Sequence, residues 1–375
     1  MRATMFATVL ALLGLAAFST ADTPSAAAKP KIKGPYTHGN LSLFLIHGPD
    51  EIKDREFVTL KEALDRKLIV VHETSNVNML SIENTSPDVE VFVMSGDVVK
   101  GGKQDRAIAY DQIVPAKSGK MALPSFCVES GRWRKRGSES EAAFAASDSQ
   151  IIGKGMKAAV NDARQQGQVW DEVKKAQDKL ASNVGQTVQS AASPSSLQLA
   201  LEDKKLNEKL AEYETPLADI LKGQKDVIGV VAVVNGEIVG ADAFCSSDLF
   251  RKLWPKLLKS ACTEALAEFK KEKQFETARP EQIQAFLDEA SKGQSTELPI
   301  EQNQAAHANV AQTANASAQI LERPNDGDTH SAGTASPPAA AKVRILKYSN
   351  VKSLLLECQE KDKPANVLHR CYIAK

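Results

Sequence analysis

The chain has 375 residues, 42% of them hydrophobic and 25% charged, enough apolar surface for the core of one or two globular domains. Lys plus Arg and Asp plus Glu both number 47, so no global field draws in nucleic acid or an anionic membrane. Nucleic acid is not expected as a partner, and recognition has to be local.

The N-terminus reads as a secretory signal over residues 1–21. Arg2 supplies the positive start, Val9 to Phe18 the apolar centre, and Ser19-Thr20-Ala21 the small residues of a cleavage site. A buried N-terminal helix is the alternative. No other stretch approaches ~18 uninterrupted apolar residues, so no transmembrane segment is expected. The expectation is an exported protein, periplasmic or extracellular. In an oxidising compartment the five cysteines can pair, and the odd count leaves at least one thiol free.

Residues 22–34 read as an Ala/Pro/Ser/Lys linker. Leu41 to Ile46 follows as a strand apolar on both faces, closed by His47-Gly48-Pro49. Thr59 and Glu62 form a capping box for a short helix. Leu68–Val71, Val77–Ile82 and Val89–Met94 read as closely spaced strands with polar turns, the pattern of an antiparallel sandwich or barrel. Gly96 to Arg106 is then a loop, and Ala107–Val114 and Lys120–Val128 continue the strands. Beyond Trp133 helix formers dominate. One amphipathic helix carries Val169, Val173, Leu180 and Val184, and a second runs from Leu199 to Ile220. Asn235-Gly236 marks a type I′ hairpin between Val227–Val234 and Glu237–Phe244. A helix capped by Ser246 or Ser247 follows, with a kink expected at Pro255.

Residues 271–341 read as a low-complexity, largely disordered insertion with a short helix at Pro280–Ala290. Strands return at Val343–Tyr348, Ser353–Cys358 and Asn366–Ile373. The fold class is α+β: a β-rich antiparallel N-terminal half, sandwich or barrel-like, packed with C-terminal helices and a hairpin. Residues 35–270 and 342–375 form one domain. If Pro364-Ala365 centres the terminal hairpin, Cys358 and Cys371 lie opposite one another within disulfide range.

Two polar clusters stand out, each placing glycines beside charges after an apolar run: Gly96 to Arg106, and Cys127 to Trp133. The first is not a Walker loop, since Gly102 stands where lysine should. Gly101 and Gly102 can still present backbone N–H groups as an anion nest, with Lys103 and Arg106 as adjacent cations and Gln104 as a neutral donor. A structural alternative pairs Arg106 with Glu129 or Asp97. In the second cluster, Cys127, Glu129 and Arg132 have the types of a nucleophile, an acid/base partner and an anion clamp, although a buried inert cysteine is the commoner case. The histidines and cysteines show no metal-ligand spacing, and no cofactor is expected.

These two clusters, followed by Phe244 and Leu249-Phe250-Arg251-Lys252-Leu253-Trp254-Pro255-Lys256-Leu257, resemble the ARG and Rhodanese-Phosphatase-superfamily-associated Protein domain. The resemblance implies no established activity. The family's name implies genomic association with ADP-ribosylglycohydrolases and rhodanese-phosphatases, and hence a link to ADP-ribose or phosphate-bearing ligands. The leading expectation is a binding module for a small anionic ligand at Gly101, Gly102, Lys103, Gln104, Arg106, Glu129 and Arg132. The alternatives are a hydrolase using Glu129 and Cys127, or a non-catalytic envelope scaffold. A scaffold requires those residues to be paired and covered.

Overall fold

The computed structural model describes residues 29–271, 273–298 and 341–375. The expected signal segment and most of the linker lie outside the described residues. The first elements are β1 (Lys31–His38), β2 (Leu41–His47), β3 (Val58–Thr59), α1 (Leu60–Asp65), β4 (Ile69–Asn76), β5 (Met79–Asn84) and β6 (Val91–Val93). Next come β7 (Asp97–Gly101), β8 (Arg106–Ile108), β9 (Gln112–Val114), β10 (Gly119–Cys127) and β11 (Phe144–Gln150). Helix α2 (Gly153–Ala158) runs into a π turn (Ala159–Ala163), and α3 (Gln166–Val184), α4 (Leu197–Leu201) and α5 (Lys204–Leu217) follow. The hairpin β12 (Val227–Val234) and β13 (Glu237–Phe244) leads into α6 (Ser247–Ala267), α7 (Pro280–Ala290) and β14 (Gln294–Glu297). Strands β15 (Val343–Ser349), β16 (Ser353–Glu360) and β17 (Val367–Ala374) close the chain.

The strands form an 8-stranded sheet in the order β1-β2-β12-β13-β17-β16-β15-β14, a 6-stranded sheet β11-β7-β8-β10-β5-β4, and a 3-stranded sheet β3-β6-β9. The fold is α+β, antiparallel throughout except where β3 runs parallel to β6. Strand β2 is buried at every position because both faces of the large sheet are covered. Leu41, Leu43 and Leu45 face the main core with α3, α5 and α6, while Phe44 and Ile46 pack with Ile283 and Leu287 of α7 on the other face. A separate core joins the two smaller sheets, where Val71, Leu80 and Ile82 meet Val91, Val114 and Leu123.

Local signals act as read. Thr59 and Glu62 make the capping box, Asn235 (φ 54) and Gly236 (φ 81) make the hairpin turn, and Ser246 Oγ accepts from the Leu249 N–H at the start of α6. Helix α6 continues through Pro255.

Several boundaries differ. Gly96 to Arg106 is not a plain loop: Asp97–Gly101 and Arg106–Ile108 pair as a hairpin. Strand β11 was not legible, since as a sheet edge it carries outward Ala145 and Asp148 instead of an alternating apolar face. The second helix breaks after Leu201, where Asp203 accepts from Leu206 N–H and restarts it as α5. The linker ends before residue 34, because β1 begins at Lys31 and pairs with β2.

Within residues 271–341 the expected short helix is present at Pro280–Ala290. Helix α7 buries Ile283, Leu287 and Ala290 against the large sheet, and β14 pairs with β15. The remainder, residues 299–340, lies outside the described residues. The Cys358–Cys371 pairing is corrected by register. The turn centres near Lys363, where Glu360 N–H donates to Asn366 O, so Cys358 faces His369 and Cys371 faces Leu356. Both thiols are free and buried.

Candidate functional site

The hairpin β7–β8 and the segment after β10 bring the two polar clusters together, since Cys127 pairs with Arg106 across the sheet. Glu129 and Asp105 are both wholly buried. Arg132 clamps Glu129 with two bonds, Nε to Oε1 and Nη2 to Oε2, each 2.7 Å. Arg136 clamps Asp105 in the same way, at 2.9 and 3.0 Å. The two pairs are tied together, because the Asp105 N–H donates to Glu129 Oε2 at 3.0 Å and Arg136 Nη1 lies 3.5 Å from Glu129 Oε1. Ser196 Oγ donates to Asp105 Oδ2 at 2.8 Å and anchors the start of α4 to the cluster. Burial by itself would push Glu129 up, but bonds from Arg132, Ser193 and the Asp105 backbone more than offset it and hold the carboxyl below its ordinary range. Glu129 is an ionised structural anion.

The glycine nest is filled by the protein's own carboxylate and carbonyl oxygens. Gly101 N–H donates to Asp105 Oδ1 at 3.0 Å, Lys103 N–H to Glu73 Oε2 at 3.0 Å, and Gly102 N–H to Ser140 O at 3.0 Å. Gly102 has φ +55, and a Cβ there would lie 2.3 Å from Phe144 Cζ, so only glycine fits. Gln104 Nε2 is spent on Glu129 O at 2.9 Å. Cys127 donates its thiol to Val77 O, and burial pushes it up to about 11, which keeps it protonated.

Two of the seven candidates keep free donor capacity. Arg106 is wholly buried; its Nη1 donates to Gln104 O at 2.9 Å, whereas Nε and Nη2 make no hydrogen bond among the described residues, and Nη2 stands 3.5 Å from Glu73 Oε2. Among the described residues, Lys103 Nζ bonds only Ser75 Oγ, at 2.9 Å. The indole of Trp133 lies over both, 5.3 Å from Lys103 Nζ and 5.7 Å from the Arg106 guanidinium carbon, and is 44% exposed. Trp133 was named in the sequence only as the end of a cluster; its position over both cations makes it part of the site.

Residues 29–332 match the ARG and Rhodanese-Phosphatase-superfamily-associated Protein domain. The chain belongs to this family. No curated protein and no solved structure matches it. The family match ends before β15, yet β17 pairs with β13 and completes the large sheet beside the matched region.

This family member has a second polar system that the sequence did not reveal. His369 on β17 is held between Asp111 (Nδ1 to Oδ2, 2.8 Å) and Asp242 (Nε2 to Oδ1, 3.2 Å), with its ring stacked on Phe244 at 4.4 Å. Burial opposes its charge, but Asp111 and then Asp242 outweigh that and push it up to about 9. Lys157 Nζ reaches Asp242 at 3.4 Å, and both line a small cavity of about 30 Å³ between β13, α2 and α6. Glu264 lines that cavity, accepts from Lys154 N–H at 3.0 Å, and is pushed up by burial. The available signal was Asp242 inside an apolar strand and Asp111 in the apolar run between β8 and β9, where an acid needs a buried partner. Among the described residues no group of His, Cys, Asp or Glu gathers in a way that could hold a metal ion.

Proposed function

We propose that this protein is a binding module for a small anionic, phosphate-bearing ligand seated at the corner of Lys103, Arg106 and Trp133. The observation that carries the reading is Arg106, a fully buried guanidinium whose Nε and Nη2 make no hydrogen bond among the described residues, with Glu73 Oε2 3.5 Å from Nη2, beneath a half-exposed indole. A buried donor left unmade is costly, and an anion entering beside Trp133 would supply the missing acceptors. Trp133 offers its outer face to a base or sugar, the nucleotide-like part of an ADP-ribose-like ligand. Glu129, Arg132, Asp105 and Arg136 hold the corner in shape. The signal-like residues 1–21 support export, which would put the site in the periplasm or outside the cell.

The test is a thermal-shift screen of inorganic phosphate, phosphosugars, nucleotides and ADP-ribose on the parent and on Lys103→Ala and Trp133→Ala. A ligand that binds only the folded state raises the melting temperature. The reading expects at least one phosphate-bearing compound to shift the parent and to shift both variants less. No shift across the panel, or equal shifts in all three proteins, would rule it out.

A further inference from the structure

A different cleft, of about 270 Å³, is lined by Met79, Tyr110, Pro124, Ser125, Phe126 and Arg164 among others, and shares no residue with the Lys103–Arg106–Trp133 corner. Tyr110 and Ser125 are 2% and 1% exposed, and among the described residues neither Tyr110 Oη nor Ser125 Oγ has a hydrogen-bond partner. Arg164 Nε is likewise buried without one. Folded proteins leave few such groups, because an unmade buried bond costs more than a made one gains. Three of them gather on residues around one cleft.

Arg164 is also placed at some cost. It ends the π turn after α2 in the left-handed region at φ 54, where a long side chain is disfavoured. π turns and strained residues concentrate at functional sites. The guanidinium lies over the Tyr110 ring, 4.9 Å from its centroid, and forms no ion pair with any described residue. Burial pushes the Tyr110 phenol up, so it stays protonated and able to donate.

We propose that this cleft binds a small, singly charged carboxylate with an apolar body. Arg164 pairs with the carboxylate, the Ser125 and Tyr110 hydroxyls donate to its oxygens, and Met79, Pro124 and Phe126 cover the apolar part. The charge follows from the lining: Arg164 is the one ionised side chain among the lining residues, so a dianionic phosphate would bring more negative charge than the cleft's single cation balances.

Benzoate, propionate and inorganic phosphate, titrated into the full chain by calorimetry and saturation-transfer NMR, test this. Arg164→Asn removes the guanidinium with a residue that tolerates the left-handed backbone. Saturable benzoate binding is expected in the parent, weakened about tenfold or more in Arg164→Asn and about threefold or more in Tyr110→Phe. It should be unchanged in Lys103→Ala, which separates this cleft from the corner proposed above. The melting temperature of Tyr110→Phe should equal or exceed the parent's, because the hydroxyl has no partner to lose. The proposal is overturned by absence of saturable carboxylate binding, by equal affinity in Arg164→Asn, by loss of benzoate binding in Lys103→Ala, or by phosphate binding more tightly than benzoate. A Tyr110→Phe protein clearly less stable than the parent would equally overturn it, since the hydroxyl would then belong to the fold.

Discussion

Replacing Glu129 by Gln removes the one anion that Arg132 grips with both arms, while keeping the side chain's shape. Glu129 is wholly buried and Arg132 nearly so, so water cannot replace the lost charge. Breaking a buried, hydrogen-bonded pair by removing one partner costs about 3–5 kcal/mol. The unfolding entropy scales with chain length, and about 300 described residues make each kcal/mol worth roughly 1.5 °C. Glu129→Gln should therefore melt roughly 5–8 °C below the parent at neutral pH, in a thermal scan followed by circular dichroism. The pH dependence adds a second check. Because the carboxyl is depressed in the folded protein, its stabilisation is present above the ordinary glutamate range and is lost as pH falls through the folded value. The gap between parent and variant should narrow in acid. A variant melting within a degree of the parent at neutral pH would refute the reasoning and return Glu129 to the pool of available site residues.

Gly102→Ala should destabilise the protein by about 2–4 kcal/mol, from the clash with Phe144 and the left-handed backbone, and equilibrium denaturation would measure it. His369 should titrate near pH 9 by NMR of its ring protons. Because that value is raised above the unfolded one, its stabilisation is complete below about pH 6.5 and is lost as pH rises toward 9; His369→Gln should remove this loss. All five cysteines are buried, so a thiol reagent should find none accessible in the native protein and five after denaturation, with Cys358 and Cys371 unbonded in non-reduced peptide maps.

What was legible in the sequence was what neighbouring residues decide. Asn235-Gly236 demands its turn by backbone conformation, Thr59 and Glu62 close their own cap, and the strand-like runs at Val343–Tyr348, Ser353–Cys358 and Asn366–Ile373 form β15, β16 and β17. Arg132 takes Glu129 three residues away, a pairing within one turn of chain. Pairings over longer distances were not legible. Arg106 meets Glu73 of β4, not Glu129 or Asp97, and Asp97 instead takes Lys256 of α6 at 2.8 Å. No local rule selects among distant carboxylates; the order of strands in the sheet does. The terminal hairpin failed for a related reason, since its turn centres near Lys363 instead of Pro364-Ala365, and that offset moves every cross-strand partner and separates Cys358 from Cys371. Helix α7 was placed correctly by Pro280, but its burial depends on the far face of a sheet that strands from both ends of the chain assemble.

The central claim concerns the two cations under Trp133, and calorimetric titration of ADP-ribose into the parent and into Arg106→Lys tests it most directly. Lysine keeps the charge beside Glu73 but loses the planar fork that reads a phosphate. The account predicts saturable binding by the parent, weakened about tenfold or more in Arg106→Lys, with both proteins folded. Equal affinity in the two proteins, or no binding by a folded parent, would contradict it.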